Sequence, residues 1–286
     1  MSDNIAVTET ERRTGRGLSA DLRSRLVWGS VLAVIALALA YAGPVPFAGL
    51  VLVVALFVSW EWGRMVRGVS ADVAFFVQAI AVTAAVVLTT AGYAALAVAV
   101  IVTAAIILIP LVFGRGARLS ALGAFYAGLP SISLIWLRQD ARYGLLAILL
   151  IFAVVWSSDI AAYAAGRAIG GPKLWPRISP NKTWAGLIGG ATACVVAGAI
   201  FAELVDASPL RLGLIGLGLG LIAQGGDLAE SALKRLFGFK DASGLIPGHG
   251  GFMDRMDSIV AVAVAAGMIA FAIDPHAPAH ALLFGG

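Results

Sequence analysis

Residues 231–257 have the sequence SALKRLFGFKDASGLIPGHGGFMDRMD and separate two long apolar stretches, at 210–233 and 258–273. Each apolar stretch is near the ~20 residues with which a helix crosses the hydrocarbon of a bilayer. The segment between them holds eight charged or histidine side chains in 27 residues. Because charged groups at a membrane are costly unless they bind a partner, the segment predicts a charged ligand at the ends of two transmembrane helices.

The composition of the whole chain excludes a soluble protein. Its 286 residues would suffice for one or two soluble domains, but 60% of them are hydrophobic and only 13% are charged. So little polar surface does not cover a water-soluble globule. The formal net charge of +4 comes from basic residues in loops beside apolar segments. We therefore predict a polytopic membrane protein with no nucleic-acid partner.

Nine apolar segments predict an all-α fold with about nine transmembrane helices. They are far longer than barrel strands and lack the alternation of polar and apolar residues that barrel strands show. Polar or Gly-Pro turns separate them. The predicted limits are 26–42, 45–62, 72–90, 93–113, 119–137, 143–165, 185–204, 210–233 and 258–273.

The distribution of lysine and arginine predicts the orientation. With a cytoplasmic N-terminus, the inside segments hold 17 basic residues and the outside segments hold three. Basic residues favour the cytoplasmic side, so the segment 231–257 is expected there, in the cell membrane. The predicted parts are a polar cytoplasmic tail at 1–25, a scaffold of about five helices at 26–142, and a catalytic region at 143–286. The cytoplasmic loops of that region are 166–184 and 234–257.

The acidic residues near this segment predict a metal site. On a helix over 210–235, Asp227, Ser231 and Lys234 share one face, and Glu230 lies beside them. Asp254 and Asp257 are three residues apart at the start of the next helix. We expect Asp227 and Asp254 to hold one Mg²⁺, with Asp257 as a third or more distant ligand, since Mg²⁺ fills most of its shell with water and phosphate. Helix capping or ion pairing remains the alternative for each aspartate, and a second cation is left open.

A second polar segment lies at 157–184, SSDIAAYAAGRAIGGPKLWPRISPNKTW. Asp159 lies within an apolar span, so it is expected to face a cavity or, alternatively, a neighbouring helix. Just before the next helix, Ser179, Asn181, Lys182 and Thr183 supply donors for phosphate at a helix N-terminus. An ordinary helix cap is the alternative. All four lysines of the chain (Lys173, Lys182, Lys234, Lys240) fall in the two polar segments, and ammonium groups suit phosphates.

The longer segment resembles the signature of phosphatidate cytidylyltransferases, also called CDP-diacylglycerol synthases. The matching positions are Ser231-x-Leu-Lys-Arg, Lys240-Asp241, Pro247-x-His-Gly-Gly and Asp254-Arg-x-Asp257. Asp159-x-x-Ala-Tyr-x-x-Gly and Ser179-Pro-x-Lys-Thr are also similar to elements of that family. Ile160, Ala161 and Ala185 depart from it, which puts a contact to metal or base at position 185 in doubt.

The resemblance implies transfer of CMP from CTP to phosphatidic acid, with Mg²⁺, and a homodimer. His249 is expected either to accept a proton as a general base or to shape the turn. Asp241 is expected either to position Lys240 or to contact the cytosine base of CTP. The residues expected to be catalytic are Asp227, Asp254, Lys240, Asp241, His249 and Arg255. Those expected to bind substrate are Asp159, Ser179, Asn181, Lys182, Thr183, Ser231, Lys234, Arg235, Gly250 and Gly251.

Three other functions fit parts of the pattern. A lipid kinase, or a cytidylyltransferase for another lipid phosphate such as an isoprenoid, uses the same chemistry. A secondary transporter predicts paired repeats, whereas both polar segments lie in the second half of the chain and the first five apolar segments are expected to carry almost no buried charge. A purely structural membrane protein leaves the clustering of acidic and basic residues unexplained.

Overall fold

The computed structural model describes residues 27–112, 116–245 and 250–285. The predicted tail at 1–25 lies outside them. The described chain forms ten helices and one small antiparallel hairpin. In chain order these are α1 (Val27–Ala42), α2 (Pro44–Arg67), α3 (Val73–Thr90), α4 (Ala94–Leu111), α5 (Gly116–Arg138), α6 (Gly144–Ala168), β1 (Lys173–Trp175), β2 (Ser179–Thr183), α7 (Trp184–Val205), α8 (Pro209–Leu236), α9 (Met253–Ile273) and α10 (Pro278–Phe284).

The prediction of an all-α polytopic membrane protein is confirmed. Eight of the described helices, α2 to α9, are long and apolar enough to cross a bilayer, and α1 is a shorter apolar helix. Each predicted apolar segment coincides with one helix in the described part of the chain. Because a membrane span needs only a contiguous apolar run of sufficient length, local sequence is enough to find it.

Two described elements were not predicted. Strands β1 and β2 pair antiparallel within the polar segment 157–184, with Lys173 opposite Thr183. The hairpin follows Gly170 and Gly171, which both have positive φ and turn the chain out of α6. Helix α10 begins at Pro278, a first-turn position that proline favours. Both elements lie outside the long apolar runs, where hydropathy carries no information about local structure.

Side chains that cap helix N-termini mark several starts. Thr183 accepts a hydrogen bond from the backbone N–H of Gly186 and so begins α7. Ser208 caps α8, whose first residue is a proline, and Asp72 caps α3. The predicted alternative for Thr183, an ordinary helix cap, is therefore observed, and it places β2 directly at the start of α7.

Small residues bring α6, α7 and α8 close together. The Cα of Gly198 on α7 lies against the backbone of Leu212 on α8, and Gly216 and Gly220 on α8 lie against Cys194. A methyl group at any of these glycines would collide with its neighbour. Such positions let helix backbones approach each other in a bilayer, where helices gain little from hydrophobic burial. The close packing holds the start of α7 beside the last turns of α6.

The helices alternate in direction, so the bundle has two distinct ends. At one end α2, α6 and α8 finish, and α7 and α9 begin. At the other end, Arg138 at the end of α5 donates to the carbonyl of Ala40, and Arg211 at the start of α8 donates to Ala281 on α10. Both predicted polar segments therefore meet at the first end.

Candidate active site

A polar cavity of about 730 Å³ opens at this end of the bundle, between α6, the hairpin, α7, α8 and α9. Ten residues predicted for the site line it. They are Asp159, Asn181, Lys182, Thr183, Asp227, Lys234, Asp241, Asp254, Arg255 and Asp257. Side chains from segments far apart in the sequence thus face one space, with both signs of charge around it. This volume is within the usual range of small-molecule sites, roughly 300–1,000 Å³.

An ion pair joins the two predicted polar segments. Lys182 Nζ on β2 lies 2.7 Å from Asp227 Oδ2 on α8, and it also donates to the carbonyl of Gln224 at 3.3 Å. Ser231 donates to the other oxygen of Asp227, Oδ1, at 3.3 Å, as expected for one helix face. The lysine therefore fixes the hairpin to α8 and leaves the Asp227 carboxylate at the cavity wall.

A second lysine joins α8 to α9. Lys234 Nζ lies 3.2 Å from Glu230 Oε1 and forms a short ion pair with Asp254 Oδ1. Asp254 Oδ2 accepts hydrogen bonds from the backbone N–H groups of Ala242, at 2.9 Å, and Gly251, at 2.7 Å. Both oxygens of Asp254 thus have partners, and they tie the loop after α8 to the first turn of α9.

The remaining carboxylates form an acidic wall. Asp257, one turn into α9, accepts a hydrogen bond from the Ser258 N–H and lies beside Glu230, which is buried. Asp227 on α8 and Asp159 on α6 line the same cavity as Asp257 and interact electrostatically with it. The wall concentrates negative charge between α6, α8 and α9.

Glu61 on α2 reaches the same end of the bundle from the predicted scaffold. Its fully buried carboxylate accepts hydrogen bonds from the backbone N–H groups of Phe252, at 3.0 Å, and Met253, at 2.7 Å, and from the Ser243 hydroxyl. Phe252 is the N-cap residue of α9, and Met253 is its first residue. A carboxylate at a helix N-terminus satisfies unpaired N–H groups and complements the helix dipole. Glu61 therefore caps α9 from another helix.

The two glycines predicted to bind substrate have packing roles in the structure. Gly250 has a φ of +81°, and a Cβ there would lie 2.7 Å from Asp254 Oδ2. A Cβ on Gly251 would collide with the carboxylate of Glu61. The glycines let the loop come close to both acids, and their contact with substrate stays a prediction.

Other predicted residues lie away from the cavity wall, as far as the described chain defines it. Arg235 is exposed and donates to the carbonyl of Phe239, and Lys240 is exposed on the loop after α8. Ser179 begins β2, at the far end of that strand from Thr183. His249 lies outside the described residues, so its predicted role is not addressed.

Glu61 and Gln224 are site residues that the sequence analysis missed. Glu61 is fully buried in α2, although the first five apolar segments were predicted to carry almost no buried charge. Gln224 donates to the carbonyl of Leu187 and so links α8 to α7. The available signal was the same for both, a polar side chain within an apolar run. Such residues usually face a partner inside the bundle.

The acidic side chains of the cavity could supply oxygen ligands to a divalent cation. Among the described residues, no three His, Cys, Asp or Glu side chains form a ready-made metal site. Five aspartates nevertheless line the cavity, together with the cations Arg167, Lys182, Lys234 and Arg255, and the buried Glu230 adds two more carboxyl oxygens beside them. A cation with one or two carboxylate ligands, completed by water and phosphate, fits this excess of acidic oxygens.

Known proteins are similar to this chain in sequence. The model of the cytidylyltransferase family matches residues 23–272. A phosphatidate cytidylyltransferase of Brucella suis is 42% identical over 249 residues, which is 85% of this chain and 91% of that protein. The phosphatidate cytidylyltransferase of Bacillus subtilis is 44% identical over 144 residues, 49% of this chain and 53% of that protein. The chain belongs to the cytidylyltransferase family.

Proposed function

We propose that this protein is a phosphatidate cytidylyltransferase of the cell membrane. It transfers CMP from CTP to phosphatidic acid and releases pyrophosphate. An oxygen of the lipid phosphate forms a bond to the α-phosphorus of CTP, while the bond from that phosphorus to the bridging oxygen of the leaving pyrophosphate breaks. Family membership and the names of the similar proteins support this assignment.

The observation that carries the proposal is the joining of the two polar segments. The ion pair between Lys182 and Asp227 places the hairpin and α8 on one cavity, beside the Lys234–Asp254 pair. Phosphoryl chemistry depends mainly on positioning and on neutralising charge that spreads over phosphate oxygens. A cavity with fixed ammonium and carboxylate groups at the end of a membrane bundle suits a water-soluble triphosphate and a lipid phosphate together.

Asp227 and Asp257 are the carboxylates proposed to hold Mg²⁺. Their charges act on each other across the cavity, and neither is tied by two backbone N–H groups as Asp254 Oδ2 is. When bound, Mg²⁺ neutralises charge on the phosphates of the nucleotide and the leaving group. Asp254, which was predicted as a main ligand together with Asp227, is proposed here only as a further ligand through Oδ1, because its two oxygens already contact Lys234 and two backbone N–H groups.

Two basic residues of the cavity are proposed to bind different phosphates, Lys182 those of the nucleotide and Arg255 that of the lipid. Lys182 lies on β2, two residues before α7, and lines the cavity, so it is placed for the nucleotide phosphates. Arg255 is placed for the lipid phosphate, because α9 lies between this cavity and the apolar part of the bundle. A phosphate monoester loses its second proton near neutral pH, so the attacking oxygen needs no strong base.

The cytoplasmic location of the site and a homodimer complete the proposal. The excess of lysine and arginine at the site end supports the location. A single cysteine introduced at Arg235, which is exposed on that side, should react with a membrane-impermeant maleimide only after cells are opened.

The family resemblance supports the homodimer, which light scattering of the detergent-solubilised protein tests.

A transfer assay tests the function. Purified protein in detergent is given CTP labelled at the α-phosphate, phosphatidic acid and Mg²⁺, and label in the lipid fraction is measured. Wild type and Asp206→Asn should transfer label at the same rate, and Asp227→Asn should transfer it about a hundred-fold more slowly. Asp206 is a matched control, since it is exposed at the end of α7 with a left-handed φ of 56°, which asparagine tolerates.

The same assay separates the alternatives when it is repeated with ATP labelled at the γ-phosphate and with an isoprenoid phosphate as acceptor. Transfer of the γ-phosphate of ATP to the lipid would indicate a kinase, and transfer of CMP only to an isoprenoid phosphate would indicate another lipid substrate. Absence of any transfer, together with solute uptake by vesicles that contain the protein, would indicate a transporter.

A further inference from the structure

A second cavity, almost entirely apolar, lies inside the bundle between α1, α2, α5, α6 and α9. Its volume is about 320 Å³, at the lower end of the range for small-molecule sites. Of the described residues that line it, only Tyr126, Ser131 and Arg255 have polar side chains, and almost none of their polar surface faces this cavity. Its other described lining is aliphatic or aromatic, so its occupant must be a hydrocarbon rather than a hydrated group.

Arg255 is common to the two cavities. It lines the apolar cavity together with Met256 and Ile259, and it lines the polar cavity together with Asp254 and Asp257. The first two turns of α9 therefore form the partition between the two spaces, with acidic residues on one face and apolar residues on the other. A ligand that reaches both cavities has to be charged at one end and apolar at the other.

Tyr126 on α5 provides a second polar group at this partition. Its hydroxyl is buried and has no hydrogen-bond partner among the described residues. Its ring packs against Trp62, 4.9 Å between ring centroids, and its side chain lies near the acidic residues Glu230 and Asp257. A buried hydroxyl without a partner is costly unless a ligand supplies one. An ester oxygen of a lipid would do so.

The apolar cavity is also accessible from the outer surface of the bundle. Ile35 on α1 and Val53 on α2 both line it, and 41% and 50% of their surfaces are exposed. In a bilayer this surface contacts acyl chains. A chain can therefore enter between α1 and α2 without passing through the polar cavity.

From these observations we infer that the apolar cavity binds one acyl chain of the diacyl phospholipid substrate, with the lipid phosphate at Arg255 and an ester group at Tyr126. The inference rests on the proposed function and refines it, because the substrate's hydrocarbon would be held by the protein rather than by the bilayer alone. It also predicts that the length of the acyl chain affects binding of the lipid.

Filling the cavity tests the inference. Ala127 lines it and is buried on α5, so Ala127→Leu should reduce its volume, whereas Ala99→Leu adds the same atoms to the exposed surface of α4. In the transfer assay, Ala127→Leu should raise KM for dioleoyl phosphatidic acid about ten-fold. KM for dioctanoyl phosphatidic acid should change less than two-fold, and KM for CTP should not change. Val53→Trp, at the exposed opening, should give the same pattern if Ala127→Leu does not fold.

An equal change of KM for both lipids, or the same change in Ala99→Leu, would overturn the inference and leave the proposed function intact. If wild type transfers no label to any lipid, the proposed function fails, and a photochemical measurement decides the inference. Phosphatidic acid with a diazirine in mid-chain should label peptides of α2 and α5, and unlabelled phosphatidic acid should compete. Equal labelling by a phosphatidylcholine probe would instead indicate bulk lipid and contradict the inference.

Discussion

Glu61 Oε2 accepts a hydrogen bond of 2.7 Å from the backbone N–H of Met253, 192 residues later in the chain. The contact joins the second helix to the first residue of α9, which carries Asp254 and Asp257. A residue in the half of the chain predicted as scaffold thus positions the acidic residues of the site. We therefore expect the function of the cavity to depend on this cap as well as on the residues that line it.

We expect Glu61→Ala to destabilise the protein and to slow the reaction. The substitution leaves two backbone N–H groups and the Ser243 hydroxyl without their acceptor, at a cost of about 1–3 kcal/mol for each group that stays buried. The midpoint of thermal unfolding in detergent should fall by roughly 5–10 °C. Glu203→Ala, on the exposed surface of α7, is the control and should shift it by no more than about 1 °C. Equal midpoints for the two variants would refute the cap.

Alanine substitutions at Gly244, Gly250 and Gly251, in the loop between α8 and α9, should affect the stability of the protein differently. Gly251→Ala places a methyl group against Glu61, and Gly250→Ala forces a side chain into positive φ, at a cost of about 1–2 kcal/mol. At Gly244 no atom lies within 4 Å of the added Cβ, so alanine there should be neutral. Thermal unfolding of the three variants should show a loss of stability in Gly250→Ala and Gly251→Ala and none in Gly244→Ala. A loss in Gly244→Ala as large as in Gly251→Ala would contradict this expectation.

The Lys182–Asp227 pair should behave as one unit in catalysis. Lys182→Met and Asp227→Asn should each lower kcat/KM about a hundred-fold, because each removes a group from the cavity and leaves its partner unpaired. The double variant should be no worse than the more damaging single variant, since neighbours that act together are not additive. Strictly multiplicative losses would show that the two residues act independently.

Activity should depend on Mg²⁺ through Asp257. A chelator should abolish CMP transfer by the wild type, and added Mg²⁺ should restore it. Asp257→Asn should raise the Mg²⁺ concentration for half-maximal activity about ten-fold or more, because it removes one of the proposed carboxylates. In Asp206→Asn this concentration should equal that of the wild type. An unchanged requirement in Asp257→Asn would exclude this residue as a ligand.

The loop between α2 and α3 should contribute stability that is lost in acid. Burial alone would raise the pKa of Asp72, but its paired hydrogen bonds with Arg67, at 2.7 and 2.8 Å, and the Phe75 N–H outweigh burial. The net effect holds the pKa of Asp72 below its ordinary value of 3.8. A lowered pKa in the folded state stabilises the protein above pH 3.8, and this contribution disappears as the pH falls below that value. Unfolding midpoints of Asp72→Asn should therefore vary less than those of wild type between pH 5 and pH 3.

The apolar helices and most of the cavity residues were predictable because their signals are local. Asp227, Ser231 and Lys234 share a helix face through their spacing alone, and the structure confirms it. The hairpin of β1 and β2 was missed because it lies in a polar loop, where neither hydropathy nor helix periodicity applies. Its position decides where Lys182 points.

The sequence by itself determined the membrane class, the helices and the two polar segments, since a span in hydrocarbon must be contiguous, apolar and hydrogen-bonded within itself. Only the tertiary structure decided the pairing of Lys182 with Asp227 and of Lys234 with Asp254, and the capping of α9 by Glu61. These contacts join residues 20 to 192 positions apart. Their geometry follows from how closely the helices pack, which no single stretch of the chain specifies.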